Sequence, residues 1–397
     1  MKKYRLPQWV SWQRLSFAVF AFFSASIVLL LHLASLAPQL SQTEKSTLIG
    51  SQHWNAIVND PLHAPLKLLQ WLTRFAPQSH VIFIDRLPSV ALALLSLVLF
   101  IYILRNWYGP RSTIFGFSLL VASAWFLHIG RFAGTDIEYL AGVLSLLAVH
   151  IGLNDQENRR SISYIWLVTN LVLLFIPGFV WFVILNALWQ RTELVILWQS
   201  LKPVWNRICW LFLAVIGLAA LIISFIRTPH LILTWMGAPT HFASWQLLLK
   251  QLANTVLAFV YRGPHNPQLW LGRLPLLDAF LSIMLAAGIV FYIQHWQAER
   301  TRILFSYLLL GIILISLGGD VRLSVIVPII YLVIVAGIAY VLRFWLSVFP
   351  SNPVARRAGI SIVAFVVALS CFYNLQQYFI AWPHNPETVH VYRHVSP

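Results

Sequence analysis

Long apolar stretches, separated by short polar segments, follow one another along almost the whole chain. A helix that crosses a bilayer needs about 20 mostly apolar residues, and about eleven stretches approach that length. They lie at 16–37, 87–104, 113–129, 137–153, 162–176, 178–190, 208–226, 275–293, 303–317, 323–341 and 359–376. The pattern predicts an all-α polytopic membrane protein with about eleven transmembrane helices.

The stretches 162–176 and 178–190 are separated only by Pro177, and they leave two topologies open. Because proline ends or kinks a helix, the pair is either one bent helix or a hairpin of two spans. The hairpin keeps loop residues such as Arg356 and Arg357 on the inner side, in agreement with the positive-inside rule. We therefore predict a hairpin, a cytoplasmic amino terminus and a multi-pass protein of the plasma (inner) membrane.

Two long segments, 38–86 and 227–274, are predicted to lie on the outer side of the membrane. They divide the chain into two parts, each with one outer loop and its own group of spans. The first part is 1–226 and the second is 227–397.

Both outer loops contain a stretch with one polar and one apolar helical face. In 65–75, Lys67, Gln70 and Arg74 share one face, and 242–260 carries a similar polar stripe. Such helices lie in the membrane surface or pack on the helix bundle, and the sequence leaves both arrangements open.

The composition excludes a soluble enzyme. Apolar residues make up 59% of the chain and charged residues 10%, and the mean hydropathy is +0.76; a soluble domain of this size needs more surface charge. A net charge of +15 would suggest nucleic acid in a soluble protein. Here the 27 Lys and Arg residues are scattered between apolar stretches, so we expect no nucleic-acid partner.

Polar groups that could do chemistry gather on the predicted outer side. Ionisable residues near hydrocarbon are costly and usually functional. The acids concerned are Glu44, Asp60, Asp85, Asp136, Glu138, Asp278 and Asp320. Glu44 is either the first-turn acid of a capped surface helix, with Ser41 at capping-box spacing, or a general base. Asp136 either pairs with Arg131 in a short loop or belongs to a functional site.

No compact metal-ligand spacing is present among the histidines and acids of the outer segments. No Walker A or GxGxxG sequence is present either. The cysteines Cys209 and Cys371 lie in apolar stretches and imply no disulfide framework. We therefore expect neither a metal nor another cofactor.

Four short motifs follow one another in the first part of the chain. An acid follows the first span, at 40–44 (Leu-Ser-Gln-Thr-Glu). A Pro-rich segment leads into a surface helix at 60–66 (Asp-Pro-Leu-His-Ala-Pro-Leu). Arg-Leu-Pro-Ser opens the second span at 86–89, and Tyr-Gly-Pro-Arg follows it at 108–111.

In this order, the four motifs resemble the polyprenyl-phosphate-dependent GT-C class of glycosyltransferases, which includes protein mannosyltransferases and the lipid A aminoarabinose transferase. Two further features continue the resemblance. The second outer loop has Arg131 followed by Asp136, and 322–328 is similar to the Arg-Tyr-to-Pro helix start of the family. Two positions depart from the family pattern: Thr43 stands where a second acid is frequent, and His63 stands where some relatives have a lysine that contacts phosphate.

The resemblance implies an inverting glycosyltransferase. Its donor would be a polyprenyl-phosphate sugar that enters laterally from the outer leaflet, where the protein contacts membrane lipid. Its acceptor would be a hydroxyl of a glycan, lipid or protein. Glu44 would accept the proton of the acceptor, and Asp136 would orient a cation or the sugar hydroxyls. Fixed cations would bind the phosphate. The candidates are His63, Lys67, Arg131, Arg262 and Arg322.

Two other functions remain open from the sequence. The first is a catalytically silent assembly protein of the same fold, because no second acid precedes Glu44. The second is a transporter or flippase, which would be expected to show paired halves with Gly- or Pro-broken helices at matching positions; the sequence displays no such symmetry.

Overall fold

The computed structural model describes residues 12–37, 39–75, 81–153, 159–201, 204–240 and 244–393, and this part of the chain is helical without any strand. The helices are α1 Trp12–Leu30, α2 Gln42–Ser51, α3 Trp54–Asn59, α4 Ala64–Thr73, α5 Val81–Tyr108, α6 Pro110–Ala122, α7 Ala124–Arg131, α8 Asp136–Gly152, α9 Arg159–Leu173, α10 Phe179–Trp189, α11 Arg191–Ser200, α12 Val204–Arg227, α13 Leu231–Trp235, α14 Trp245–Val260, α15 Ala279–Gln294, α16 Glu299–Ser316, α17 Val327–Val348, α18 Pro353–Gln376 and α19 Pro386–Arg393. A 3₁₀ turn, Leu323–Val325, precedes α17, and a π-helical segment, Gln377–Ala381, continues α18.

Each apolar stretch predicted from the sequence coincides with a helix or a bent pair of helices. Four helices in the described residues are long and apolar enough to cross a membrane, and there are six if each bent pair is one span. The four are α5, α12, Leu323–Val348 and Pro353–Ala381; the bent pairs are α6 with α7, at 61°, and α10 with α11, at 75°. The protein is thus a multi-pass membrane protein, and the number eleven stays a prediction.

Helices α9 and α10 form the hairpin that the charge pattern predicts. The Trp166 indole donates to the Gln190 amide oxygen at 2.5 Å, and Asn186 donates to Asn170 at 3.3 Å. The residue number rises from 166 to 170 along α9 while that of the partner falls from 190 to 186, so the two helices are antiparallel. Gly178 makes the turn with a φ of 78°, which favours glycine.

The central helix is α17, which is buried along most of its length. It packs on α15 almost backbone to backbone: a Cβ on Gly288 would lie 1.9 Å from the Val333 carbonyl oxygen, and one on Gly337 would lie 2.0 Å from that of Met284. Small residues permit this close approach of membrane helices. The same core includes residues from both predicted parts of the chain, and the boundary between those parts stays a prediction.

Helix α4 buries its polar face and exposes its apolar face, which is the reverse of an amphipathic helix on a soluble protein. The polar Lys67 and Gln70 are buried, whereas Leu72 and Phe75 are 56% and 75% exposed. An apolar face turned outward is typical of a helix that lies in the membrane interface. Of the two arrangements left open by the sequence, the structure therefore favours the interfacial one for α4.

Candidate functional site

Glu44 is buried and engaged on both carboxylate oxygens. Ser41 and Glu44 form the predicted capping box at the start of α2. The Arg86 guanidinium donates to the two oxygens at 3.0 and 3.3 Å, and the Ala133 backbone N–H donates at 3.1 Å. Arg86 also donates to three carbonyl groups at the end of the first span: those of Leu33, Ala37 and Gln39. The Glu44–Arg86 pair therefore fastens the start of α2 to the first part of α5.

Aromatic side chains from the carboxyl-terminal region close this ion pair off. Phe132 stacks on the Arg86 guanidinium at 4.9 Å, and Trp382 and Tyr392 pack against Phe132. Burial raises the pKa of the Tyr392 hydroxyl well above its usual range, and the charge of Glu44 adds to this shift. Tyr392 thus remains a neutral phenol that donates to the Gln268 carbonyl oxygen at 3.1 Å.

Arg131 makes contacts different from those the sequence suggested. It is 2% exposed, donates to the Leu31 carbonyl oxygen and lies between the rings of Tyr378 and Phe379, each 5.0 Å from the guanidinium carbon. It forms no salt bridge with Asp136. Of the two possibilities left open for Asp136, the structure therefore excludes the pair with Arg131, because the Arg131 guanidinium lies among aromatic rings.

A second group of charges gathers at the start of α4 and α8. The His63 Nδ1 lies 2.6 Å from a carboxylate oxygen of Glu138, and the other oxygen of Glu138 accepts the Leu66 N–H at 2.7 Å. His63 holds a left-handed backbone conformation, with a φ of 61°, which is uncommon outside glycine. Its backbone N–H donates to the Phe175 carbonyl oxygen at 2.7 Å, and this contact holds the strained residue in place.

Asp136 lies beside this pair at the first position of α8 and is partly exposed. Ser324 donates to its carboxylate at 3.3 Å, and Arg322 and His63 are close enough to act on its charge. The Tyr139 hydroxyl donates to the Asp320 carbonyl oxygen at 3.0 Å, which joins the loop before α17 to α8. We call the group of His63, Asp136, Glu138, Tyr139 and Arg322 the carboxylate cluster.

Lys67 lies one turn along α4 from His63 but points to a different partner. Its ammonium donates to the carboxylate and the carbonyl oxygen of Asp60, each at 2.8 Å. The Lys67 side chain is buried while that of Asp60 is half exposed. Lys67 thus braces the turn before α4.

Arg262 lies in an open cavity of about 670 Å³ between α14 and the loops that follow it. Four of its lining residues are basic or imidazole side chains: Lys250, Arg262, His265 and Arg273. Gln251 and Asn254 add amides, and no acid is among the described lining residues. Leu323 lies in the wall, and its neighbour in the sequence, Arg322, belongs to the carboxylate cluster. We call this space the cationic cavity.

The predicted site residues therefore fall into separate places. His63, Asp136 and Arg322 come together in the carboxylate cluster, and Arg262 lines the adjoining cationic cavity. Glu44, Lys67 and Arg131 are held in pairs or aromatic packing elsewhere. Sequence reasoning missed the partners Arg86 and Glu138, although Arg86 opens the Arg-Leu-Pro-Ser motif and Glu138 lies two residues after Asp136.

Comparison with solved structures gives two matches, each covering 96% of this chain and 77% of the other. One is ArnT from Cupriavidus metallidurans in the apo state, with 12% identity and a TM-score of 0.52. The other is ArnT from the same organism bound to undecaprenyl phosphate, with 14% identity and a TM-score of 0.51. The chain has the GT-C fold. No family profile and no curated protein sequence matches it.

The GT-C fold is the fold that the sequence motifs predicted. The alignment covers 96% of the chain. At this level of identity the likeness extends to the fold, and the roles of individual side chains follow from their contacts alone. Among the described residues, no group of three or more His, Cys, Asp and Glu side chains is arranged to hold a metal ion.

Proposed function

We propose that the chain is an integral membrane glycosyltransferase that takes a sugar from a polyprenyl-phosphate donor. The acceptor would be an extracytoplasmic hydroxyl of a glycan, lipid or protein, and the sugar would be transferred with inversion at its anomeric carbon. The GT-C fold supports this proposal, as does the bound undecaprenyl phosphate named for the solved ArnT structure. The chemistry of the cationic cavity and the adjoining carboxylate cluster supports it independently.

The cationic cavity is the observation that carries the proposal. Lys250, Arg262 and Arg273 each present a side chain to it, and none of the three forms a salt bridge with a described acid. Arginine matches the geometry of phosphate oxygens, and lysine binds phosphate as a point charge. Transfer leaves a lipid monophosphate, whose developing charge would be stabilised by such fixed cations.

Asp136 is the carboxylate best placed to accept the proton of the acceptor. A general base must reach the proton that it removes. Asp136 is partly exposed and accepts one long side-chain hydrogen bond, from Ser324. The role of Glu44 as the base remains a prediction from the family resemblance; its carboxylate already accepts four hydrogen bonds in a buried position.

Binding of undecaprenyl phosphate tests the proposal directly. Arg262→Gln and Arg273→Gln should each weaken binding about tenfold or more, because a hydrogen bond to a charged group is worth about 1.5–3 kcal/mol. Arg227→Gln is the matched control, since Arg227 is exposed and lies outside the cationic cavity. Binding would be measured by scintillation proximity on purified protein in nanodiscs. Equal affinity in all four proteins would contradict a phosphate site in this cavity.

We also propose that the carboxylate cluster and cationic cavity lie on the extracytoplasmic face of the plasma membrane. Tyr261 is 74% exposed at the end of α14, beside the cationic cavity. Arg343 is exposed near the carboxyl-terminal end of α17, whereas the carboxylate cluster lies at the amino-terminal end of that helix. In a cysteine-free background, Tyr261→Cys should react with an impermeant maleimide added to intact cells, whereas Arg343→Cys should react only after lysis. Labelling of both residues, or of Arg343→Cys alone, in intact cells would overturn this orientation.

A catalytically silent protein of the same fold is the second candidate function. The specific observation in its favour is that Arg86 neutralises Glu44, while Thr43 stands where a second acid is frequent in the family that the sequence resembles. Such a protein would bind undecaprenyl phosphate in the cationic cavity but release none from any undecaprenyl-phosphate sugar. Binding without turnover across a panel of sugars and acceptors is its signature.

A further inference from the structure

A separate cavity of about 700 Å³ opens between α14, α15 and α18, at the end of the bundle where α15 begins and α18 finishes. We call it the lateral groove. Its walls are apolar and turned outward: Val260, Ile283 and Tyr373 are 53%, 62% and 48% exposed. In a membrane protein such outward apolar walls contact acyl chains. The lateral groove is therefore reached from the lipid and not from the protein interior.

The floor of the lateral groove is polar. Asp278 caps the start of α15, where one carboxylate oxygen accepts the Leu281 N–H at 2.8 Å. The other oxygen accepts the Asn374 amide at 3.1 Å and the Ser370 hydroxyl. These contacts join α15 to α18 and hold a carboxylate at the base of an otherwise apolar surface. All three donors are neutral, and a charge near hydrocarbon is costly without an opposite charge.

Gln377 completes the floor with an unused donor. It is 7% exposed, lines the lateral groove and begins the π-helical segment Gln377–Ala381. Its Nε2 has no hydrogen-bond partner among the described residues. Buried amide donors are nearly always paired, and π-helical segments occur frequently at functional sites. A ligand oxygen near Gln377 would satisfy the missing bond.

We propose that the lateral groove binds a glycerophospholipid whose head group carries a primary ammonium. The ammonium would donate to Asp278, and a phosphate oxygen would accept from Gln377 Nε2, while the acyl chains would lie along Val260 and Ile283. Asp278 is the one charged residue in the described lining, and no basic side chain accompanies it. This charge balance disfavours an anionic lipid and distinguishes the lateral groove from the cationic cavity.

Lipid retention by the full-length protein tests the proposal. The protein would be purified in detergent with equal amounts of phosphatidylethanolamine, phosphatidylcholine and phosphatidylglycerol that carry the same acyl chains, and retained lipid would be counted by native mass spectrometry. We expect about tenfold more phosphatidylethanolamine than phosphatidylcholine, because a quaternary ammonium cannot donate a hydrogen bond to Asp278. Equal retention of phosphatidylethanolamine and phosphatidylcholine, or preferential retention of phosphatidylglycerol, would overturn the proposal. This test uses the unchanged protein only.

Asp278→Asn tests whether the preference for phosphatidylethanolamine arises in the lateral groove. Asparagine caps a helix as well as aspartate does, so α15 should stay intact while the charge is lost, and the preference for phosphatidylethanolamine should disappear. Glu387→Gln removes an exposed acid from α19 and should leave the preference unchanged. Gln377→Leu is the second variant, and it should lower retention of phosphatidylethanolamine without unfolding. An unaltered preference in Asp278→Asn, together with unaltered retention of phosphatidylethanolamine in Gln377→Leu, would show that the lipid binds elsewhere.

Discussion

Replacing Asp136 by asparagine should lower sugar transfer by about 10²–10⁴-fold, the usual contribution of a general base. The substitution keeps the shape of the side chain and its contact with Ser324 while removing the negative charge beside Arg322. Binding of undecaprenyl phosphate should change little, because Asp136 does not line the cationic cavity. Release of undecaprenyl phosphate from an undecaprenyl-phosphate sugar, measured on purified protein, gives the rate.

Asp320→Asn is the matched control for this experiment. Asp320 is an exposed acid in the loop that Arg322 and Ser324 share, and Tyr139 contacts its backbone and not its side chain. Its loss should leave turnover within about twofold, since exposed single charges contribute little. A rate of Asp136→Asn equal to that of the unchanged protein would remove Asp136 from the chemistry.

Glu44→Gln should cost about 3–5 kcal/mol of stability, because it leaves the buried charge of Arg86 without an opposite charge. The side chains of Arg86 and Glu44 are 2% and 1% exposed, so solvent can compensate little of this loss. Thermal unfolding in detergent should occur at a clearly lower temperature than in the unchanged protein. Glu387→Gln, which removes an exposed charge, should unfold like the unchanged protein.

The same variant separates the two interpretations of Glu44. If Glu44 is structural, Glu44→Gln loses stability, and the fraction that stays folded transfers sugar at a normal rate. If Glu44 is also the base that the family resemblance implies, the folded fraction of Glu44→Gln binds undecaprenyl phosphate and transfers no sugar. Rates must therefore be expressed per folded molecule, after size-exclusion chromatography.

Features with a short range along the chain could be predicted from the sequence. The apolar stretches coincide with helices because the length and composition of each are local properties. The capping box of Ser41 and Glu44 and the hairpin around Gly178 are local in the same sense. The helix of 65–75 also formed as expected, but its periodicity could not tell whether Lys67 would point to water or into the protein.

Contacts between distant parts of the chain could not be predicted. Arg86 lies 42 residues after Glu44, and Glu138 lies 75 residues after His63. Nothing in the local pattern says that these side chains pair, because each is polar in an apolar neighbourhood and has several possible partners. The consequence for function is direct: the burial of Glu44 follows from Arg86, and local sequence made it look like a surface acid.

The backbone contact between α15 and α17 limits the ways in which the protein can open. Gly288 and Gly337 leave no space between the two helices, so any substitution there must push them apart, and thermal motion cannot separate them without losing the whole contact. If the proposed isoprenoid donor enters from the bilayer, it must therefore part other elements of the bundle. Helix α12 packs on α9 and α3 and turns most of its apolar residues outward, so fewer contacts oppose its displacement than oppose separation of α15 from α17.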